Sequence, residues 1–176
     1  GFLKRPHQWL EALGKYEGSH TQAPNFAYDY CVERIKESRL TAFDLSKVEV
    51  FSNGAEPVQE STLSAFYQKF SKSGLRKSSL FPAYGLAEAT LLVATKPVSD
   101  LPKTIRVDRG IFEKNGIISV SNRTGDKSIV SCGIPIFNTD VRVVNPQTHK
   151  DLGEGLVGEI WVNSPAVARG YWKDPV

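Results

Sequence analysis

The 176-residue sequence contains no methionine, two cysteines and three histidines. Cys31 and Cys132 lie far apart and form no C-x-x-C pair, which excludes a disulfide scaffold and a thiolate metal centre and points to free thiols in a reducing cytoplasm. His7, His20 and His149 are scattered, without the spacing that a metal site uses. No apolar run approaches the roughly 18 residues of a membrane span; the best is Ala89-Thr90-Leu91-Leu92-Val93-Ala94. Gly1-Phe2-Leu3-Lys4-Arg5-Pro6 does not have the charged and then apolar regions of a secretory signal. A large charge excess is missing too: 22 basic against 19 acidic residues leave +3, which speaks against a dedicated nucleic-acid binder. The basic run Lys69, Lys72, Arg76, Lys77 reads as a solvated helix end. There is no internal repeat and no low-complexity stretch. With no methionine even at position 1, the expectation is an internal piece of a longer protein.

What is present is ordinary globular material: 40% hydrophobic, 23% charged and 10% aromatic. A chain this long folds as roughly one to two domains of about 150 residues and buries about two-thirds of its unfolded surface. Trp9, Leu13 and Tyr16 share one helix face, and Tyr28, Cys31, Val32 and Ile35 another. Val48 to Phe51 reads as a short strand that ends in Ser52-Asn53-Gly54. Pro57 suits the first position of the next helix, whose buried stripe is Leu63, Phe66, Tyr67 and Phe70 and whose stop is Gly74. Ser79 to Ala83 reads as a second strand. Strand, helix, strand at this spacing predicts a parallel sheet covered by helices.

Helical periodicity stops near Thr95, and short β-type runs follow: 104–107, 116–120, 128–131, 141–144 and 158–162. The predicted fold is therefore α/β: a helix-covered, mainly parallel sheet over residues 1–98, followed by a β-rich, antiparallel, small barrel-like part over 99–176. The boundary falls near Pro97 to Pro102.

In open α/β sheets, ligands bind outside the carboxyl ends of the strands. Two strand ends are unusual. Asn53-Gly54-Ala55-Glu56-Pro57 offers small residues that let a flat ligand approach the backbone, and then an acid. Tyr84-Gly85-Leu86-Ala87-Glu88 offers an aromatic plate, a close-approach glycine and a carboxylate. An aromatic face stacks on a base for about 1–3 kcal/mol. Mg²⁺ binds one or two carboxylates beside substrate phosphates. Each motif alone is weak and reads first as a β-turn, with a buried Tyr.

Taken in order, the segments carry a resemblance. Tyr84-Gly85-Leu86-Ala87-Glu88-Ala89-Thr90-Leu91 resembles the Y-G-x-T-E motif of adenylate-forming enzymes, and more closely its version in fatty acyl-AMP ligases. Ala23-Pro24-Asn25-Phe26-Ala27-Tyr28-Asp29, Asn53-Gly54-Ala55-Glu56-Pro57-Val58 and Val130-Ser131-Cys132-Gly133 are similar to segments of the same ligases. So is Gly158-Glu159-Ile160-Trp161-Val162 with Gly170-Tyr171-Trp172. That family uses ATP to convert a fatty acid to an acyl-adenylate, and passes the acyl group to an acyl carrier protein or a synthase carrier domain. The resemblance implies that Tyr84 stacks on adenine, with Gly85 and Ala87 beside it, and that Gly54, Ala55 and Glu56 line the adenosine pocket. It makes Glu88 the catalytic carboxylate that holds Mg²⁺, and sets Asn25 and Phe26 along the acyl pocket. Carboxylate attack on a phosphate brings two anions together, so a metal and fixed donors must offset the charge.

Several features depart from the wider superfamily. Ala87 stands where a threonine is usual, which is read as subfamily character. Residues of about 104 to 128 map onto an insertion that the acyl-AMP ligases carry, thought to block the movement needed for reaction with coenzyme A. Arg123-Thr124-Gly125-Asp126 spells a ribose-binding motif, but it precedes Gly170 instead of following it and is read as a turn. A Gly/Ser/Thr-rich phosphate loop is missing, and the resemblance sets the catalytic lysine after Val176. The expectation is therefore part of a ligase, inactive alone. An acyl-CoA ligase of the same superfamily, and a carrier-binding module using Lys103, Arg106 and Arg109, are the alternatives.

Overall fold

A computed structural model describes residues 1–173. The first strand, β1 (His20–Ala23), and the second, β2 (Val50–Asn53), run parallel, with His20 opposite Val50 and Ala23 opposite Asn53. β2 is also parallel to β3 (Leu80–Leu86), with Phe51 opposite Leu80. The chain then reverses into β4 (Leu91–Thr95), antiparallel to β3. A two-residue strand at Ile134–Pro135 completes one five-stranded sheet on the far edge of β4. The helices are α1 (His7–Lys15), α2 (Asn25–Arg34) and α3 (Glu60–Phe70).

One face of β2 turns toward these helices. Phe51 and Asn53 are buried on it, while Val50 and Ser52 face the other way, as the two-residue period of a strand requires. Tyr28, Phe66 and Phe70 of the helices join Phe51 in an aromatic core. The Tyr28 and Phe66 rings meet edge-on at 4.9 Å, and Phe66 and Phe70 lie 4.7 Å apart. Each such contact adds about 0.5–1.5 kcal/mol beyond the area it buries. The Tyr28 hydroxyl donates to the Ser52 carbonyl at 2.7 Å, so the one polar atom of this ring is satisfied inside the core. Burial pushes its ionisation far above the ordinary tyrosine range. Cys31, in the same core, is a free thiol pushed up to about 12 by burial, which makes it inert.

The fold is α/β as expected, with corrections in detail. β1 was not foreseen from its polar sequence. The strand expected at Val48 to Phe51 sits two residues later, because Val48 enters the core and its carbonyl receives the Ser79 hydroxyl at 2.8 Å. Pro57 does not open α3, which begins at Glu60; Gln59 is still extended. The apolar run 91–95 is a strand and not a helix. Thr90 and Leu91 both have positive φ and turn the chain back onto β3.

Beyond Pro97 there is no closed barrel among the described residues. Instead, β5 (Thr104–Val107) pairs with β6 (Lys127–Val130), and β8 (Asp140–Val144) pairs with β9 (Glu159–Asn163), β7 being the Ile134–Pro135 strand. The strand expected at 116–120 is reduced to single bridges, Ile117 with Leu156 and Val107 with Val120. A short helix, α4 (Arg109–Asn115), precedes it. Asp108 caps it, accepting from the Ile111 amide at 2.9 Å, and Gly116 closes it in the left-handed conformation. Trp172 lies at the end of the described residues, and Val176 falls outside them.

Lys96 marks the junction. It is 6% exposed, donates to the carbonyls of Ser78 at 2.7 Å and Pro97 at 3.3 Å, and sits 3.4 Å from the centre of the Phe81 ring. Burial pushes its ammonium down to about 8.

Candidate functional site

The uncovered face of the sheet carries a cavity of about 590 Å³. Its walls are His20 and Gln22 of β1, Val50 and Ser52 of β2, the 83–87 stretch, and Leu91 and Leu92 of β4, with Gly54 and Ala55 at the end of β2. Gly54, Ala55, Tyr84, Gly85 and Ala87, named from sequence, thus converge on one concave surface. Glu56, Glu88, Asn25 and Phe26 are not part of its wall.

Backbone geometry explains why small residues stand here. A Cβ on Gly54 would lie 2.8 Å from the Ala83 carbonyl oxygen, so the turn after β2 must be bare to pass under β3. A Cβ on Gly85 would lie 1.6 Å from the Leu91 carbonyl oxygen. The register between β3 and β4 shifts at Tyr84/Gly85, and this bulge draws the strands together. Gly85 is therefore required by β4 whatever a ligand demands. Ala55 adopts φ +67, a left-handed conformation that a side chain pays for, directly on the cavity wall.

Glu88 and Glu56 are exposed. No carboxylate–cation pair among the described residues involves Glu88, so its oxygens are open to a cation from outside. Its backbone is fixed: the Glu88 carbonyl accepts the Ala168 amide at 2.7 Å, and the Thr90 hydroxyl donates to the Ala166 carbonyl at 2.7 Å. No cluster of three His, Cys, Asp or Glu residues that could hold a metal occurs among the described residues. A cation at Glu88 would take the rest of its shell from water and a phosphate-bearing ligand, which suits Mg²⁺.

Asn25 is 6% exposed, with its amide engaged inside the protein. Phe26 is half exposed, its ring edge-on to Phe2 at 6.4 Å. Leu91, Leu92, Val50 and Gln22 line the cavity without having been singled out in the sequence. The strand alternation of β2 was the signal for Val50; Leu91 and Leu92 stand in an apolar run to which the sequence assigned no strand. Arg123 to Asp126 is a turn, as expected: the Asp126 amide donates to the Arg123 carbonyl, and the Asp126 carboxylate accepts the Arg123 amide. Three residues of the basic run have partners within the fold: Lys69 donates to the Val32 carbonyl, Lys72 pairs with Glu37, and Arg76 donates to the Val48 carbonyl.

A medium-chain fatty acid–[acyl-carrier-protein] ligase of Moorena producens is 42% identical over 175 residues, 98% of this chain and 30% of that protein. A 4-hydroxyphenylalkanoate adenylyltransferase of Mycobacterium tuberculosis is 36% identical over 99% of this chain and 28% of its own length. The chain thus spans about 30% of the length of curated relatives it matches. Among solved structures, a fatty acyl-adenylate ligase of Legionella pneumophila, in complex with acyl adenylate and pyrophosphate, superposes with a TM-score of 0.92 at 42% identity, over 99% of this chain and 30% of that one. Residues 1–172 match the family described as AMP-binding enzyme, and the chain belongs to that family.

Proposed function

We propose that this chain is the adenosine-holding part of a fatty acyl-AMP ligase, in which ATP and a fatty acid become an acyl-adenylate and pyrophosphate. The observation that carries this reading is the convergence of Gly54, Ala55, Tyr84, Gly85 and Ala87 on one cavity at the carboxyl ends of β2 and β3. The names of the similar proteins support the same chemistry.

Tyr84 offers its ring to the adenine, while the bare backbone at Gly54 and Ala55 admits the flat base and sugar. Glu56 stands at the rim of this pocket. Val50, Leu91 and Leu92 give the cavity an apolar wall for the acyl end, and Asn25 and Phe26 lie beyond it. Glu88 would hold Mg²⁺, which would offset the charge of the two anions that the reaction brings together. The fatty carboxylate oxygen bonds to the α-phosphorus and the bond to the β-phosphate oxygen breaks, so that pyrophosphate leaves with the electron pair. The acyl group then passes to the thiol of an acyl carrier protein or synthase carrier domain, and AMP leaves. A division near residue 98 belongs to the same proposal, although β7 crosses it to complete the sheet. So does an insertion at about 104–128, which comprises β5 and α4 and ends within β6. The setting is a reducing cytoplasm.

Calorimetric titration with a non-hydrolysable acyl-AMP analogue tests the reading. Saturable binding is expected, weakened about tenfold or more by Tyr84→Ala. A folded chain that does not bind, or a Tyr84→Ala variant of equal affinity, would sink the assignment. An acyl-CoA ligase is the second reading, and thioester formation with free coenzyme A by a protein containing this chain would favour it.

A further inference from the structure

We infer that Asn25 and Asn53 form a buried amide clamp that sets the shape of the 54–58 loop, so that Asn25 acts as a positioning residue and not as a wall of the acyl pocket. The inference rests on the adenylate reading only where it concerns binding.

Asn25 is the first residue of α2, and Asn53 the last of β2. Their exposures are 6% and 0%. The Asn53 Nδ2 donates to Asn25 Oδ1 at 3.0 Å, and the Gln59 backbone amide donates to the same oxygen at 3.1 Å. Asn25 Nδ2 donates to the Pro57 carbonyl at 2.9 Å. One side chain thus holds the residue before the loop and two residues at its far end. Between those anchors stand Gly54 and Ala55, the latter in its left-handed conformation. A strained residue persists where its surroundings over-determine it, and the clamp supplies that constraint from both sides.

The orientation of both amides follows from the bonds. Turning Asn25 over would aim its NH₂ at the Gln59 amide and its oxygen at the Pro57 carbonyl. Turning Asn53 over would set two oxygens face to face. With this orientation, Asn53 Oδ1 is buried and has no partner among the described residues. A buried acceptor left in that state is costly, so an asparagine here is poor as plain core filling. It is accounted for if the Nδ2 bond is what the position requires. The clamp also explains why α3 starts at Glu60: Asn25 holds Pro57 and Gln59, and Gln59 is extended.

Amide hydrogen exchange on the 176-residue chain, with AMP as the binding probe, tests the clamp. In the unmodified chain the Gln59 amide and the Asn25 and Asn53 side-chain NH₂ groups should exchange slowly. Fast exchange there overturns the clamp even if no variant folds. Asn25→Asp keeps the acceptor for Asn53 and Gln59 and loses the donor to Pro57. Asn25→Ala loses both. Exchange at Gly54, Ala55 and Glu56 should quicken roughly tenfold in Asn25→Ala and less in Asn25→Asp, while the α3 amides keep their protection. A folded Asn25→Ala with unchanged loop exchange overturns the inference. AMP affinity should fall in the same order. If the unmodified chain does not bind AMP, the binding reading loses its support, and loop exchange still decides the clamp.

Discussion

Residues 1–96 and residues 97–173 are built on different principles. In the first stretch, Tyr28, Phe51, Phe66 and Phe70 are wholly buried between α1–α3 and one face of the sheet. In the second, hairpin pairing and turns define the path, while Ile105, Ile117, Ile134, Phe137 and Trp161 stay exposed. Of the second stretch, only Val130 joins the main core cluster. Hydrogen bonds alone thus draw a recognisable shape, but burial of apolar area is what supplies cohesion. The candidate site sits on the cohesive side, on the sheet face that the helices leave free.

The contrast can be broken most strongly at its centre. Phe66→Ala should cost about 3–5 kcal/mol in urea unfolding, whereas Phe137→Ala, at a position 92% exposed, should stay within about 0.5 kcal/mol. Equal effects would refute the division. Gly85→Ala comes next: its Cβ has no room beside Leu91, so strand β4 must separate from β3. Near-ultraviolet circular dichroism of Tyr84 surroundings and a loss of stability of about 1–3 kcal/mol should report it. Asp108→Ala removes the one side-chain cap of α4 and should cost about 1 kcal/mol, confined to local exchange in 109–115.

Lys96 sharpens the comparison at the seam. Its folded ionisation lies near 8, below the ordinary lysine value of 10.5. Between these values the unfolded chain binds more protons, so stability should rise as pH increases from about 8 to 10.5 and level off outside that window. Lys96→Met should flatten this rise in denaturation midpoints measured against pH.

The helix stripes of α1, α2 and α3 were legible because burial on one face imposes a period that side chains record. Gly54, Ala55 and Tyr84 drew notice because small and flat groups stood together at strand ends, and the fold brings them onto one cavity. β1 was hidden, since His20-Thr21-Gln22-Ala23 pairs through its backbone and has little apolar content to betray it. Leu91 to Thr95 was hidden by the opposite fault: an apolar run has no period, and only the positive φ of Thr90 and Leu91 decides its direction. α4 was not read from the sequence, where only the β-type runs 104–107 and 116–120 stood on either side of it; its cap Asp108 and its left-handed stop Gly116 are features of the structure. Asn25 was read only through the resemblance, and its hydrogen bonds were not legible. Its role lies in residues 28 and more positions away, and nothing local announces such bonds.

The two bonds that tie Thr90 and Glu88 to Ala166 and Ala168 span 76 and more residues. They make the second stretch a ring fastened at its neck and not a tail hung from one point. A protease that cuts the exposed turn at 145–150 would open the ring without releasing either piece, because β8 and β9 flank the cut and pair across it. The far piece would drift away only after the fastening at Glu88 and Thr90, that pairing and the bonds of residues 152–157 to Val143, Gly116 and Ile118 had all failed, so cleavage and dissociation should be separate events in time.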